Sequence, residues 1–231
     1  MADPARRAVA LLSGGMDSVV AAAAVQADGY EVHALAIEYG QRQHAELAAA
    51  ERVAEALGLA GCSRVRVDLG QFGGSALTTD RPVPKDRKEI GADIPPTYVP
   101  ARNTVFLSVA LAAAEALDAD AVAIGVNAVD YSGYPDCRPA FLEAFEAVAR
   151  AGTKRGVEGD PIRVLAPLLR LTKAEIVTRG LELGVPFGET LSCYDPVERD
   201  GRWLHCGRCD ACRLRHQGFE DAGVEDPTTY A

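Results

Sequence analysis

The sequence predicts an α/β protein: a Rossmann-like parallel sheet with helices on both faces, followed by a small cysteine-rich C-terminal segment. Three observations predict it. Short apolar runs alternate with alanine-rich stretches of helical length, a glycine-containing turn follows the first run, and four of the six cysteines crowd together near the C-terminus. Buried strands separated by helices imply βαβ units, and right-handed crossovers then restrict the topology.

Taken in order, residues 8–12 (AVALL) read as a buried strand, followed by a turn at 13–15 and an Ala/Val-rich helix over 16–27. Residues 31–37 (EVHALAI) form a second strand, 45–57 a second helix ended by Gly58, and 64–68 a third strand. Residues 104–117 are helical and 121–125 (AVAIG) make another short strand. A helix opening at Pro139 places Phe141, Leu142, Phe145, Val148 and Ala149 on one face, which reads as core. Three stretches break the alternation. Residues 69–101 are long and rich in Pro and Gly, the mark of a lid, a partner-binding surface or disorder. Residues 127–138 (NAVDYSGYPDCR) are a polar and aromatic turn region, and 191–213 hold the cysteines. The expected division is 1–185 for the main domain and 186–231 for a segment packed on it.

Composition narrows the class. With 231 residues, 48% hydrophobic and 25% charged, the chain has the make-up of one globular domain with a small appendage. No apolar run approaches the roughly 20 residues needed to span a membrane. The start MADPARRAVA lacks the apolar segment of a secretory signal, so the cytoplasm is expected. A net charge of −9 disfavours direct binding to nucleic acid, which wants a basic face.

The turn Ser13–Ser18 (SGGMDS) stands where a strand hands over to a helix. In a parallel sheet, ligands bind at the carboxyl ends of strands. Two glycines let the backbone approach an anion, and the helix N-terminus adds a positive dipole end. Ser13 and Ser18 offer hydroxyl donors. Asp17 makes sense beside a phosphate only with Mg²⁺ between them. No Gly-Lys-Ser/Thr ending and no GxGxxG is present, so neither a Walker A loop nor a dinucleotide fingerprint fits.

Cys193, Cys206, Cys209 and Cys212 follow the spacing C-x12-C-x2-C-x2-C. Four thiolates so spaced suit one tetrahedral zinc, and a full protein ligand set leaves no open position, so the expected role is structural. His205 could replace one cysteine, but it adjoins Cys206 and is geometrically awkward.

SGGMDS resembles the signature of the PP-loop ATP pyrophosphatases, which split ATP between the α and β phosphates and move AMP onto an oxygen of the substrate. With LLSGGMDS, EYGQRQ (38–43), YVPARN (98–103), GVNAVDYSGYPDCRPAF (125–141), LTKAEI (171–176), SCY and CGRCDAC, nearly the whole chain resembles the 7-cyano-7-deazaguanine synthase family of queuosine biosynthesis. Where that family often has Gly, this chain has Ala101, with no expected consequence for chemistry.

The resemblance implies a PP-loop, adenine nucleotide α-hydrolase-like fold and an ATP-dependent ligase. Such an enzyme adenylates 7-carboxy-7-deazaguanine, admits ammonia to give the amide, then adenylates the amide and releases the nitrile. It implies ATP with Mg²⁺ as cosubstrate, one structural zinc per chain, small-molecule partners and a homodimer. Leu12, Ser13, Gly14, Gly15, Met16, Asp17 and Ser18 would hold the ATP phosphates and metal. Asp17, Arg102 and Lys173 are the candidate catalytic residues: Lys173 to neutralise phosphate charge, Arg102 to offer a bidentate fork to phosphate or carboxylate. Asp130 and Asp136 flank a turn whose Tyr131 and Tyr134 could stack on the ring, and a carboxylate there would pair with the guanine edge. The plain alternative is that these acids cap turns. Arg138 could meet the substrate carboxylate, or only begin the helix at Pro139.

The main rival is a PP-loop transfer-RNA thiolase, for which Cys137 would carry sulfur. The acidic charge and the DYSGYPDCRP context stand against it. A non-catalytic nucleotide- and zinc-binding module would leave Asp17 without purpose. A cousin that stops at the amide, or places the deazaguanine on a macromolecule, is hardly separable by residues.

Overall fold

The computed structural model describes residues 5–42, 44–88, 90, 93–129 and 133–231. Strand β1 (Arg6–Leu11) lies at the centre of a five-stranded sheet, between β2 (Tyr30–Glu38) and β4 (Ala121–Ala123). The edges are β3 (Gly61–Arg66) and β5 (Arg163–Leu165), giving the order β3-β2-β1-β4-β5 with every pairing parallel. The chain reverses its direction of travel across the sheet between β1 and β4. That reversal opens a crevice at the carboxyl ends of the two strands.

Alternation along the strands divides the core. Ala8, Ala10, Ala34, Ala36, Ala121 and Ala123 face helix α1 (Met16–Ala27), whose own alanines and valines pack closely on them. The odd-numbered Val9, Leu11, Leu35 and Ile37 point to the opposite layer, with α3 (Arg102–Ala116) and α4 (Pro139–Gly152). Helix α2 (Ala45–Ala56) feeds both layers, through Ala45 and Ala49 on one side and Leu47 and Val53 on the other. The short α5 (Lys154–Val157) follows α4, and α6 (Lys173–Glu182) packs on α7 (Asp210–Asp221).

The expected elements are present, with informative shifts. The third strand runs three residues earlier than 64–68, because its register against β2 pairs Gly61 with His33. It is an edge strand with several exposed residues, so no apolar run marks its start. The core stripe of α4 is narrower than expected. Leu142, Phe145 and Ala149 are buried, but Val148, at the margin of the stripe, is 53% exposed. A hairpin of β6 (Val197–Arg199) and β7 (Arg202–Leu204) was not expected, although its Asp200-Gly201 turn, both residues at positive φ, is a strong local signal.

The stretch 69–101 opens with a single 3₁₀ turn, Leu69–Phe72. It is fastened to the C-terminal segment: Lys85 bridges Cys209 through the backbone, Asp86 donates its N–H to the Arg208 carbonyl, and Arg87 pairs with Asp210 at 2.8 Å. The C-terminal segment shares the core of the sheet, since its four cysteines pack in the same layer as Val9 and Leu107. Buried Arg215 staples its end, forking onto Asp226 and donating to Thr190 and the Phe187 carbonyl. No helix among the described residues is long and apolar enough to cross a membrane.

Candidate active site

The turn after β1 is shaped by its own hydroxyls. Ser18 Oγ donates to the Gly15 carbonyl at 2.9 Å and accepts from the Ser13 N–H at 3.2 Å. Gly14 has φ +82°, and a Cβ there would lie 2.7 Å from the Glu46 carbonyl oxygen and the Ala50 nitrogen of α2. Gly125, beyond β4, admits no Cβ because Asp17 and Ser18 backbone atoms approach to 2.9 Å. Two glycines thus bring the loop, α2 and the end of β4 together at the crevice.

Asp17 and Lys173 meet here. Lys173 Nζ donates to Asp17 Oδ2 at 2.7 Å, with side chains 11% and 28% exposed. The lysine opens α6, whose Thr172–Glu175 capping box sets its start. The other oxygen, Asp17 Oδ1, is buried without a hydrogen-bond partner among the described residues. An orphaned carboxylate oxygen facing a phosphate cradle fits a ligand for a hard cation.

The C-terminal segment clamps this loop. Leu191 N–H donates to the Gly14 carbonyl, and Ser192 Oγ accepts from the Met16 N–H, both at 2.9 Å. Ser192 N–H in turn donates to His205 Nε2 at 2.9 Å. Since Nε2 accepts, Nδ1 carries the proton and donates to the Thr228 hydroxyl. Burial, with Arg215 close by, pulls the His205 pKa down to about 4, so the ring stays neutral. His205 therefore spends both nitrogens inside the protein and is not a metal ligand.

Cys193, Cys206, Cys209 and Cys212 are all buried, with sulfurs within 4.8 Å of one another. Cys193–Cys209 and Cys206–Cys212 are 4.0 and 3.9 Å apart. A tetrahedral centre with bonds of about 2.3 Å separates its sulfurs by about 3.8 Å, so the cluster could hold a metal ion with little movement. Backbone N–H groups of Tyr194, Cys206 and Cys209 point at the sulfurs, as thiolates require. Hydrogen bonds from Cys193 and Cys212 pull the Cys209 thiol down, and the same contacts push those two up.

A cleft of about 230 Å³ extends from the loop. Its wall carries Arg102, the first residue of α3, with the guanidinium 5.7 Å from the Phe106 ring centre and 6.0 Å from that of Tyr39. Burial works against its charge, and the facing Tyr39, Cys137 and Tyr194 more than offset that. Arg102 forms no ion pair among the described residues. Across the cleft stands Glu46, in the first turn of α2. Burial pushes its pKa up to about 7, and Arg102 pulls it back only in part.

Ala101, the N-cap of α3, sits at φ +53°, a left-handed conformation that an alanine adopts at a cost of about 1–2 kcal/mol. An alanine expected to be without consequence therefore places strain directly before Arg102. Glycine's extra freedom in the unfolded chain offsets part of the relief, so Ala101→Gly is expected to stabilise the fold by about 0.5–1 kcal/mol. The check is the urea midpoint at unchanged slope; a midpoint that stays or falls removes the strain argument.

The far end of the cleft is aromatic. Tyr134 lies 6.0 Å from Tyr98, ring to ring, and its hydroxyl meets Thr97 at 3.2 Å. Asp136 lines the cleft, yet its Oδ2 accepts the Asn103 N–H at 2.9 Å, so it also closes the first turn of α3. Arg138 is exposed, precedes Pro139 as the N-cap of α4, and is not in the cleft lining. Asp130 and Tyr131 lie outside the described residues. Leu12, Ser13, Gly15, Met16, Asp17, Ser18 and Arg102 line the cleft, Gly14 supports it from behind, and Lys173 enters through Asp17. Glu46, Tyr39 and Ser192 are cleft residues that the sequence did not single out. Tyr39 and Ser192 fall in the strings EYGQRQ and SCY, whereas Glu46 carried no signal, because an acid in a first helical turn is ordinary.

A parallel sheet of this order, with the SGGMDS turn at its reversal point, defines a PP-loop α/β protein. Its fold matches the structure of NMN synthetase from Francisella tularensis with a TM-score of 0.50 and 19% identity, covering 96% of this chain and 79% of that one. The family described as "Queuosine biosynthesis protein QueC" matches residues 7–223, and the chain belongs to it. It is 60% identical to the 7-cyano-7-deazaguanine synthase of Anaeromyxobacter dehalogenans, over 98% of this chain and 97% of that one. Against the synthase of Stenotrophomonas maltophilia it is 57% identical, covering 98% and 100%.

Proposed function

We propose that this protein is an ATP-dependent carbon–nitrogen ligase that converts 7-carboxy-7-deazaguanine and ammonia to 7-cyano-7-deazaguanine. The observation that carries it is the cleft: the SGGMDS loop with Asp17 and Lys173, the charged Arg102 in the wall with no ion pair among the described residues, and the Tyr98–Tyr134 pair. The carboxylate of the substrate is a poor electrophile. Transfer of AMP makes one of its oxygens part of a leaving group, ammonia displaces it, and a second transfer to the amide oxygen permits loss of AMP to the nitrile.

The loop backbone and serines bind the polyphosphate, Lys173 and Arg102 meet charge that grows on it, and the tyrosines stack on the ring. Asp17 would hold Mg²⁺, which neutralises the departing pyrophosphate when bound. The four cysteines would hold one structural zinc at the edge of the cleft, which Cys193 lines, and fix the segment that clamps the loop. On this reading the enzyme works on small molecules in the cytoplasm, without nucleic acid or membrane, as a homodimer.

Purified protein mixed with 7-carboxy-7-deazaguanine, ammonium and Mg-ATP is expected to yield the nitrile by mass spectrometry, with two AMP per nitrile. Oxygen-18 in the substrate carboxylate should emerge in AMP. ADP as product, with label in inorganic phosphate, overturns the adenylation chemistry.

A further inference from the structure

Among the described residues four carboxylates line the cleft, and three of them are occupied. Asp17 pairs with Lys173 at 2.7 Å, Asp136 accepts the Asn103 N–H at 2.9 Å, and Asp195 pairs with Lys85 at 2.8 Å. Glu46 has no hydrogen bond or ion pair among the described residues, although Arg102 faces it. Glu46 is half-buried, and a carboxylate drawn partly out of water without a partner is costly; such groups gather where chemistry is done. Its place suggests which chemistry. The Glu46 backbone abuts Gly14, which sets its helical turn against the loop that would take the α-phosphate, and its side chain lines the cleft facing Arg102.

We infer that Glu46 is the general base that takes a proton from ammonium beside the adenylated carboxylate. The inference rests on the reaction proposed above. Ammonium gives one proton to the Glu46 carboxylate, and the freed ammonia attacks the acyl carbon. The C–N bond forms, the bond from that carbon to the AMP-bearing oxygen breaks, and AMP departs with that oxygen. The second nitrogen proton is lost to solvent as the tetrahedral adduct collapses, leaving the neutral amide. The groups that face Glu46 suit a base in this position. Arg102 from α3 holds the adenylate's charge, while Tyr39, directly after β2, and Arg42 in the next turn set the local field. Burial raises the Glu46 pKa to about 7, in the range useful to a base at neutral pH.

The test separates the two half-reactions. Carboxylate-dependent exchange of labelled pyrophosphate into ATP reports adenylation alone, and ¹⁵N-ammonium incorporation reports the amide. Glu46→Gln is expected to keep exchange within about threefold, with an unchanged KM for the deazapurine, and to lose about 100-fold or more in amide formation at pH 7. At pH 9, where free ammonia is abundant, the variant should recover most of that loss. Full amide synthesis at pH 7 overturns the inference. So does a raised KM in the exchange assay, which would make Glu46 a holder of the ring, or loss of exchange together with the amide. If the Gln variant does not fold, Glu46→Asp, which withdraws the carboxylate by one methylene, should show the same split. Absence of exchange in the unaltered enzyme refutes the substrate reading itself, a result distinct from any produced by the variant.

Discussion

Cys209→Ser is expected to strip the protein of bound zinc and lower its thermal midpoint sharply. Cys209 is fully buried, 4.0 Å from Cys193, and its sulfur accepts the Tyr194 N–H. Binding free energy at a structural zinc is folding free energy, about 10–16 kcal/mol in small zinc modules, so losing one ligand of four should cost about 3 kcal/mol or more. The damage extends to the nucleotide loop. Cys193 adjoins Ser192, whose hydroxyl holds the Met16 N–H, and Leu191 holds the Gly14 carbonyl. Chelation short of unfolding should therefore weaken ATP binding. Elemental analysis and melting curves with and without chelator decide the matter. A folded variant with its full metal content and an unshifted midpoint would remove the structural assignment.

Asp17→Asn should abolish AMP formation, by about a thousandfold or more, and leave the fold standing. The side chain keeps its shape, and Asp17 Oδ1 has no partner to lose. What goes is the charge that pairs with Lys173 and would hold Mg²⁺. The ion pair is partly exposed, so its loss should cost no more than about 2 kcal/mol. Circular dichroism and a melting curve test the fold, and AMP release under saturating Mg-ATP tests the chemistry. Turnover near that of the unaltered enzyme would end the PP-loop argument.

How legible the protein was depends on the range of the interaction. SGGMDS announces its turn because its glycines and serines act on neighbours two to five residues away. The cysteine spacing is legible in part for a similar reason, since Cys206, Cys209 and Cys212 recur every third residue. The start of β3 and the outward position of Val148 were not. Edge exposure and the margin of a core stripe depend on what packs alongside, and no periodicity records that. The 200–201 hairpin turn had a local signal in its Asp-Gly pair, but the short, exposed strands beside it carry no apolar alternation to support it. Ala101 needed its backbone angle before the cost of a side chain there became visible.

Residue types at fixed spacing are enough for the layered parallel sheet, the glycine turn after β1, the four-sulfur cluster and, through strings spread over the whole chain, the family. In each of these, short-range sterics and coordination chemistry leave few alternatives. Which side chains share the cleft was settled only by packing. Lys173 reaches Asp17 across 156 positions, Ser192 reaches Met16 across 176, and Asp136 turns to cap α3. Packing also leaves Glu46, unremarkable on its helix, opposite Arg102 and without a hydrogen-bond or ion-pair partner among the described residues. Contacts at such separations follow from how the layers meet, and burial, which gives a carboxylate its proton affinity, is a property of the packed molecule alone.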